Sequence, residues 1–355
     1  MKKFLLIALF TGICTGVYSD SSLNDLNNLL KQSGSFGSTV ETKNDIAPVT
    51  TGVTEKNTIK EKDFFSQSEK TYKDKTLSGL NDLFKKNSDF LIISQYIDEN
   101  IKNLDPKNAD EMLLMFENYY YSIPSDSDIF IEDEELMDKK FGKTVLEDGK
   151  KYNNDYTLLI KNYKDADNQD LSSYLKSLYD RNLNLTYSNG YFFFTVNYNK
   201  LLTYEKYLSD DMVNYLKYSD NEIRKPAVIN SKIVISLDDL VNRILSAEHY
   251  IKLSDNKELN KEFAKMLVFH FENLMLGVGD TPVFNSDTNT LNDDFLKSYK
   301  YYISKNGVFK SDLQKYIDAL DKNKYVKSPD TYGNQVKLVN KVISFYQLKR
   351  DETFQ

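Results

Sequence analysis

Residues 236–276 read SLDDLVNRILSAEHYIKLSDNKELNKEFAKMLVFHFENLML, and this stretch decides the fold. Leu237, Leu240, Val241, Ile244, Leu245 and Ile251 recur at three- and four-residue spacing, which places them on one face of a helix. Ser236 stands ahead of that face as a cap, and Asp238 and Asp239 put negative charge in the first turn, where the helix dipole favours it. Leu259, Phe263, Met266, Leu267, Phe271 and Leu274 repeat the pattern, and Gly277 is placed to end it. Folded back about a turn near residues 254–257, the two helices would form an antiparallel hairpin.

The same period extends outward. Leu77, Leu80, Leu83 and Phe84 form one stripe, Phe90, Ile93, Tyr96, Ile97 and Ile101 a second, and Met112, Leu113, Met115, Phe116, Tyr119 and Tyr120 a third. Ser88 is the expected cap of the second helix, and Asp105-Pro106 breaks the chain before the third. Pro124 is expected to end the third and open an acidic loop over residues 126–138. Further helical runs fall near residues 155–163, 170–179, 204–218, 292–304, 311–321 and 334–348. The period changes only once. Leu183-Asn184-Leu185-Thr186-Tyr187 alternates, Asn189-Gly190 is a strong two-residue turn signal, and residues 191–196 are aromatic and β-branched. A lone hairpin is marginal, so it should pack on helices or pair with a short strand at residues 232–235. The expected fold is mainly α: a multi-helix bundle or two packed helical subdomains, residues 61–182 and 183–350, with one β-hairpin near residues 183–197.

The N-terminus has a different character. Lys2 and Lys3 precede an apolar run over residues 4–14, and Val17 and Ser19 place small residues three and one before a cut ahead of Asp20, the pattern of a secretory signal over residues 1–19. Residues 20–60 contain a short amphipathic piece with Leu23, Leu26, Leu29 and Leu30, then a Ser, Gly, Thr and Lys-rich stretch that reads as a flexible tether. The chain's single cysteine, Cys14, lies inside the signal. Lipid anchoring there is the alternative, but Ile13 is bulky where a lipoprotein signal carries a small residue. Cleavage after Ser19 leaves a mature chain without thiols and therefore without disulfides.

Charge narrows the partners. The formal charge is −7, and it becomes more negative by two when Lys2 and Lys3 leave with the signal. No basic stripe interleaved with aromatics is present, so nucleic acid is excluded as an expected partner. Lys alternates with Asp and Glu along most segments, as on solvated helix surfaces. No transmembrane helix is expected once the signal is removed.

Nucleotide and hydrolase signatures are missing: there is no G-x-S-x-G, no G-x-x-x-x-G-K-[ST], no G-x-G-x-x-G and no H-E-x-x-H. Only two histidines exist, His249 and His270. In an antiparallel pair His249 lies opposite residue 262, about 12 Å from His270 along the axis, which is too far for one zinc. His270 falls on the apolar stripe and is expected to be a packed, hydrogen-bonded core residue. Asn285, Asp287 and Asn289 have the spacing of calcium ligands, but Thr290 and Leu296 replace the glycine and glutamate such a loop needs. No metal or other cofactor is therefore expected. The remaining candidate is the loop at residues 277–285, where Gly277 and Gly279 permit close approach to the backbone and Asp280, Thr281 and Asn285 supply polar groups. The aromatic runs Tyr119-Tyr120-Tyr121 and Tyr191-Phe192-Phe193-Phe194 suit core packing and also stacking on sugars.

Gly190-Tyr191-Phe192-Phe193-Phe194, Tyr207-Leu208-Ser209-Asp210-Asp211, Ser236-Leu237-Asp238-Asp239-Leu240 and Leu276-Gly277-Val278-Gly279-Asp280-Thr281-Pro282 resemble the C-terminal helical region of uncharacterised secreted proteins of Gram-positive bacteria, over residues 183–350. The resemblance implies export and carries no catalytic residue. The expected function is that of an exported bacterial binding or scaffold protein of the cell envelope or extracellular space, non-enzymatic, with a protein or glycan partner. The alternative is an exported hydrolase of cell-wall or host polymer acting through carboxylates.

Overall fold

Three capped helices begin the described part of the chain: α1 (Lys75–Lys85), α2 (Phe90–Asn100) and α3 (Pro106–Ser122). The computed structural model describes residues 72–123, 128–188 and 190–350. The expected signal at residues 1–19, the expected tether at 20–60 and Cys14 lie outside the described residues. Asp74 caps α1 by accepting from the Thr76 and Leu77 amides at 2.8 and 3.2 Å. The cap of α2 is Asp89, one residue beyond the expected Ser88, because the Asp89 carboxylate reaches the Leu91 amide at 2.6 Å. Asp105 caps α3 and Pro106 occupies its first turn, where a missing N–H costs nothing. The three stripes meet in a dry core in which Phe84 stacks on Tyr119 at 4.4 Å and Phe90 meets Phe116 edge-on at 6.0 Å. Burying each such side chain contributes roughly 1.5–3 kcal/mol.

The acidic stretch expected as a loop is instead helical, forming α4 (Asp128–Leu136), a π-helical turn (Met137–Phe141) and α5 (Gly142–Gly149). Phe130, Met137, Phe141 and Val145 are buried and give this segment an inner face that its acidity hides in the sequence. Asp133, on the same inner side, meets Arg181 in a two-pronged ion pair, with Nη1 to Oδ2 at 2.6 Å and Nη2 to Oδ1 at 2.9 Å. Then come α6 (Tyr156–Lys161) and α7 (Gln169–Asp180). Asp155 and Asn168 cap them through the Leu158 and Leu171 amides.

The hairpin forms as expected: β1 (Leu183–Ser188) and β2 (Tyr191–Val196) pair antiparallel, with Leu185 opposite Phe194 and Leu183 opposite Val196. It rests on α6 and α7. The expected pairing with residues 232–235 does not occur. Lys232–Ile233 pairs with Val228–Ile229 instead, because Asn230 and Ser231 both adopt positive φ and close a separate two-residue hairpin. Ser188 Oγ donates to Asn230 Oδ1 at 3.1 Å and links the two hairpins.

Short α8 (Tyr198–Leu201) leads through a 3-10 segment (Leu202–Tyr207) to α9 (Asp210–Arg224). The helix expected from residue 204 starts at Asp210 because Ser209 caps it, its Oγ accepting from the Met212 amide at 3.2 Å. The decisive pair is present as α10 (Leu237–Leu253) and α11 (Lys257–Leu276), packed against each other. Ser236 accepts from the Asp239 amide at 3.0 Å, and Gly277 ends α11 with φ of 71°. The chain closes with α12 (Asp293–Ser304), α13 (Lys310–Lys322) and α14 (Pro329–Phe345). Helix α14 packs on α11 and α12 packs on α10. The fold is mainly α, and no helix among the described residues is long and apolar enough to cross a membrane.

Tyrosine hydroxyls tie distant elements together. Tyr96 donates to Thr76 O at 2.9 Å, Tyr218 to Arg243 O at 3.1 Å and Tyr299 to Leu274 O at 3.1 Å. Tyr120 donates to Phe194 O and so joins α3 to β2. Each tie lets a large ring fill the core while its polar tip is satisfied, which a phenylalanine could not do for the opposing carbonyl.

Candidate functional site

The loop singled out from sequence is organised by the protein's own backbone. A Cβ on Gly277 would stand 2.5 Å from Thr281 O, and one on Gly279 would stand 2.5 Å from Ser231 O. Both glycines also have positive φ. The group approaching Gly279 is therefore the Asn230–Ser231 turn, to which Asp280 adds a backbone bond, N to Ser231 O at 3.0 Å. Thr281 Oγ1 accepts from the Ile233 amide at 3.1 Å. Asn285 Oδ1 accepts from the Asp287 and Thr288 amides at 2.9 and 3.0 Å, which closes a tight turn with the oxygen that a calcium ion would need. Gly277, Gly279 and Thr281 thus lie together against the second hairpin, while the Asp280 and Asn285 side chains are exposed.

The histidines are far apart in character. His249 is exposed and His270 is completely buried. His270 Nε2 lies 3.2 Å from Glu222 Oε1, and Glu222 Oε2 receives Arg243 Nη1 at 2.6 Å. The core location matches the expectation, but the hydrogen bonding does not: neither His270 ring nitrogen makes a well-aligned bond. Among the described residues no three His, Cys, Asp or Glu side chains converge in a metal-holding group.

What the fold brings together is the pair of aromatic runs. Tyr120 and Tyr121 at the end of α3, Ile123 just after it, Phe130 and Glu134 of α4, and Phe193 and Phe194 of β2 line a small open groove. Phe130 stacks on Phe194 at 5.9 Å and meets Tyr120 edge-on at 5.8 Å, so the floor is a packed cluster of buried rings, and Phe193 and Tyr121 are the more exposed aromatics of the groove. Tyr121 stands on the wall with 46% of its surface exposed. Glu134 is half-buried and carries the groove's carboxylate. The Asp133–Arg181 pair holds α4, and with it Phe130 and Glu134, against the hairpin side of the body.

Behind the groove lies a buried carboxyl. Glu117 sits on α3 one turn before Tyr121 and is 6% exposed. Its Oε1 accepts hydroxyl bonds from Tyr198 of α8 and from Tyr215 of α9, the latter at 2.7 Å. The Tyr121 and Tyr198 hydroxyls are 3.2 Å apart, so a chain of hydroxyls runs from the groove wall to the carboxyl. Burial pushes the Glu117 carboxyl up to about 7, reinforced by the charge of Glu262 and opposed by the two tyrosine bonds.

Other carboxyls raised by burial act as structural ties. Asp110 accepts from the Ser209 amide and hydroxyl at 3.0 and 2.5 Å. Asp220 pairs with Arg224, and Glu272 with Arg350 at 3.3 Å. Glu248 accepts from the Tyr302 hydroxyl at 2.5 Å and from the Val308 amide at 3.1–3.2 Å, fixing the turn between α12 and α13.

Comparison of the chain with protein-family models, curated proteins and solved structures finds no match.

Proposed function

We propose that this is a non-enzymatic binding protein, exported by the signal at residues 1–19, that holds a glycan of the cell envelope or extracellular space in the aromatic groove. The observation that carries the reading is the convergence of two aromatic runs, more than seventy residues apart in the chain, on one open surface to which, among the described residues, Glu134 brings a carboxylate. Sugar rings present apolar C–H faces that stack on exposed aromatic rings, and their hydroxyls donate to a carboxylate such as Glu134. The net charge of −7 favours a neutral glycan over an anionic one. The buried carboxyls support the non-enzymatic reading, because Asp110, Glu117, Asp220 and Glu248 are engaged with their own protein partners. A glycosidase would instead need a pair of carboxyl groups facing the groove at about 5–10 Å.

The test is isothermal titration of the full chain with soluble uncharged cell-wall oligosaccharides and with chitin and cellulose oligomers. Tyr121→Ala removes the exposed wall and should weaken binding about tenfold, the loss of about 1.4 kcal/mol. Product analysis after long incubation checks for cleavage. Binding that is unaltered in both Tyr121→Ala and Phe193→Ala would refute the site, and release of shortened oligosaccharides would refute the non-enzymatic reading.

A further inference from the structure

We propose that Glu117 is a proton switch that sets the hydrogen-bond direction along the chain Tyr215–Glu117–Tyr198–Tyr121 and through it the state of the groove's Tyr121 wall. An ionised carboxylate only accepts, so both Tyr198 and Tyr215 must donate to Oε1. With its hydrogen spent on Glu117, Tyr198 can only accept from Tyr121, whose hydroxyl therefore points inward. A protonated Glu117 brings one more hydrogen into the same cage. If it donates to Tyr198, then Tyr198 must donate to Tyr121, and the Tyr121 hydrogen must turn to another acceptor. If it donates elsewhere, the two tyrosine bonds lose their charge-assisted character and roughly half their strength. The first rearrangement reverses the chain as far as Tyr121, and the second loosens the Tyr198 anchor on which Tyr121 rests.

The groups facing Glu117 are few. Tyr121 lies on its own helix, Tyr198 on α8, Tyr215 on α9, and Glu262 and Lys265 on α11, where they pair with each other at 2.9 Å. Tyr198 and Tyr215 are each 3% exposed, and their rings meet edge-on at 6.4 Å, so bulk water does not intervene in the cage. The position of the titration at about 7 places the switch within the ordinary external pH range. This inference concerns the wall of the groove and does not depend on which ligand the groove takes.

The experiment uses the full chain labelled with ring-13C tyrosine, with the Tyr121, Tyr198 and Tyr215 signals assigned by their loss in the corresponding Phe variants. Between pH 5.5 and 8.5 all three signals should shift with one shared midpoint near 7, and in Glu117→Gln none should. In Tyr198→Phe the chain is cut, so Tyr215 should still titrate while Tyr121 stays still. A Tyr121 signal that is flat in the wild type, that titrates unchanged in Glu117→Gln, or that titrates in Tyr198→Phe overturns the proposal. No ligand is present in these spectra, so failure of glycan binding and failure of the switch are separate results.

Discussion

Replacing Arg181 by Met should destabilise the protein more than any surface charge change. The guanidinium contacts both oxygens of Asp133 at 2.6 and 2.9 Å, and the two side chains are only 13% and 8% exposed. Arg181→Met leaves the Asp133 carboxylate buried without its counter-charge, a change that costs about 3–5 kcal/mol. An exposed pair would cost about 1 kcal/mol or less. The larger figure corresponds to a fall in Tm of roughly 10 °C for a chain of this size. Asp133→Asn should cost less, because Arg181 keeps a bond from Nε to Ser177 O at 3.2 Å. The double variant should cost less than the sum of the singles by about 2–3 kcal/mol, the signature of direct coupling. Urea unfolding of the four proteins measures all three quantities. A loss below about 1 kcal/mol in Arg181→Met, or strict additivity in the cycle, would refute the view that this pair pins α4. Because α4 carries Phe130 and Glu134, Arg181→Met should also weaken the proposed glycan binding without touching the groove.

Three further outcomes follow from the structure. The Glu117 carboxyl rises from 4.5 unfolded to about 7 folded, so its favourable contribution is full below about pH 4.5 and is lost as pH climbs through 7. From pH 5 to pH 8 that loss is about 2.5 kcal/mol, so the wild-type urea midpoint should fall relative to that of Glu117→Gln over this range; a pH-independent difference would contradict it. In Gly307→Ala the new Cβ would lie 2.1 Å from Tyr302 Cζ, displacing the ring that donates to Glu248 and accepts from the Phe309 amide. Overpacking plus lost buried bonds predicts about 2–4 kcal/mol, measured by thermal unfolding. Gly279→Ala forces a Cβ against Ser231 O at φ of 34° and should cost about 1–3 kcal/mol, whereas Gly333→Ala, inside α14 with nothing within 4 Å, should stabilise by about 0.5–1 kcal/mol.

The long helices were legible because burial writes its period into the sequence. Ser236, Asp105-Pro106 and Gly277 then marked ends correctly, since each acts on amides or carbonyls within four residues of itself. The errors arose where the decisive contact is not local. Residues 126–138 look like a solvated loop until Asp133 is seen to face Arg181, forty-eight residues away, and Phe130 to face Phe194. Residues 232–235 look like a partner for the long hairpin because nothing in Asn230-Ser231 announces that two non-glycine residues accept positive φ. The candidate loop stood out for its glycines, which do mark a close backbone approach, and the approaching group in the structure is Ser231. Glu117 left one faint signal: a charged residue four after Leu113, three before Tyr120 and four before Tyr121, on an otherwise apolar stripe. Among 53 acidic residues that signal does not stand out. The groove had none, because its aromatic floor exists only after α3, α4 and β2 are assembled.

The tyrosine ties give the protein a limit at the alkaline end. Burial raises the hydroxyls of Tyr120, Tyr198, Tyr215, Tyr218, Tyr299 and Tyr302, and Tyr119 reaches about 12. Each is neutral in the fold and ionises near 10 once the chain opens, so stability held below pH 10 drains away above it, and the contributions of many rings coincide. With 26 tyrosines and no tryptophan, phenolate absorbance reports that event directly. Base should therefore unfold this protein in a steep, self-reporting transition, recorded as a sharp step in the ultraviolet absorbance of tyrosinate.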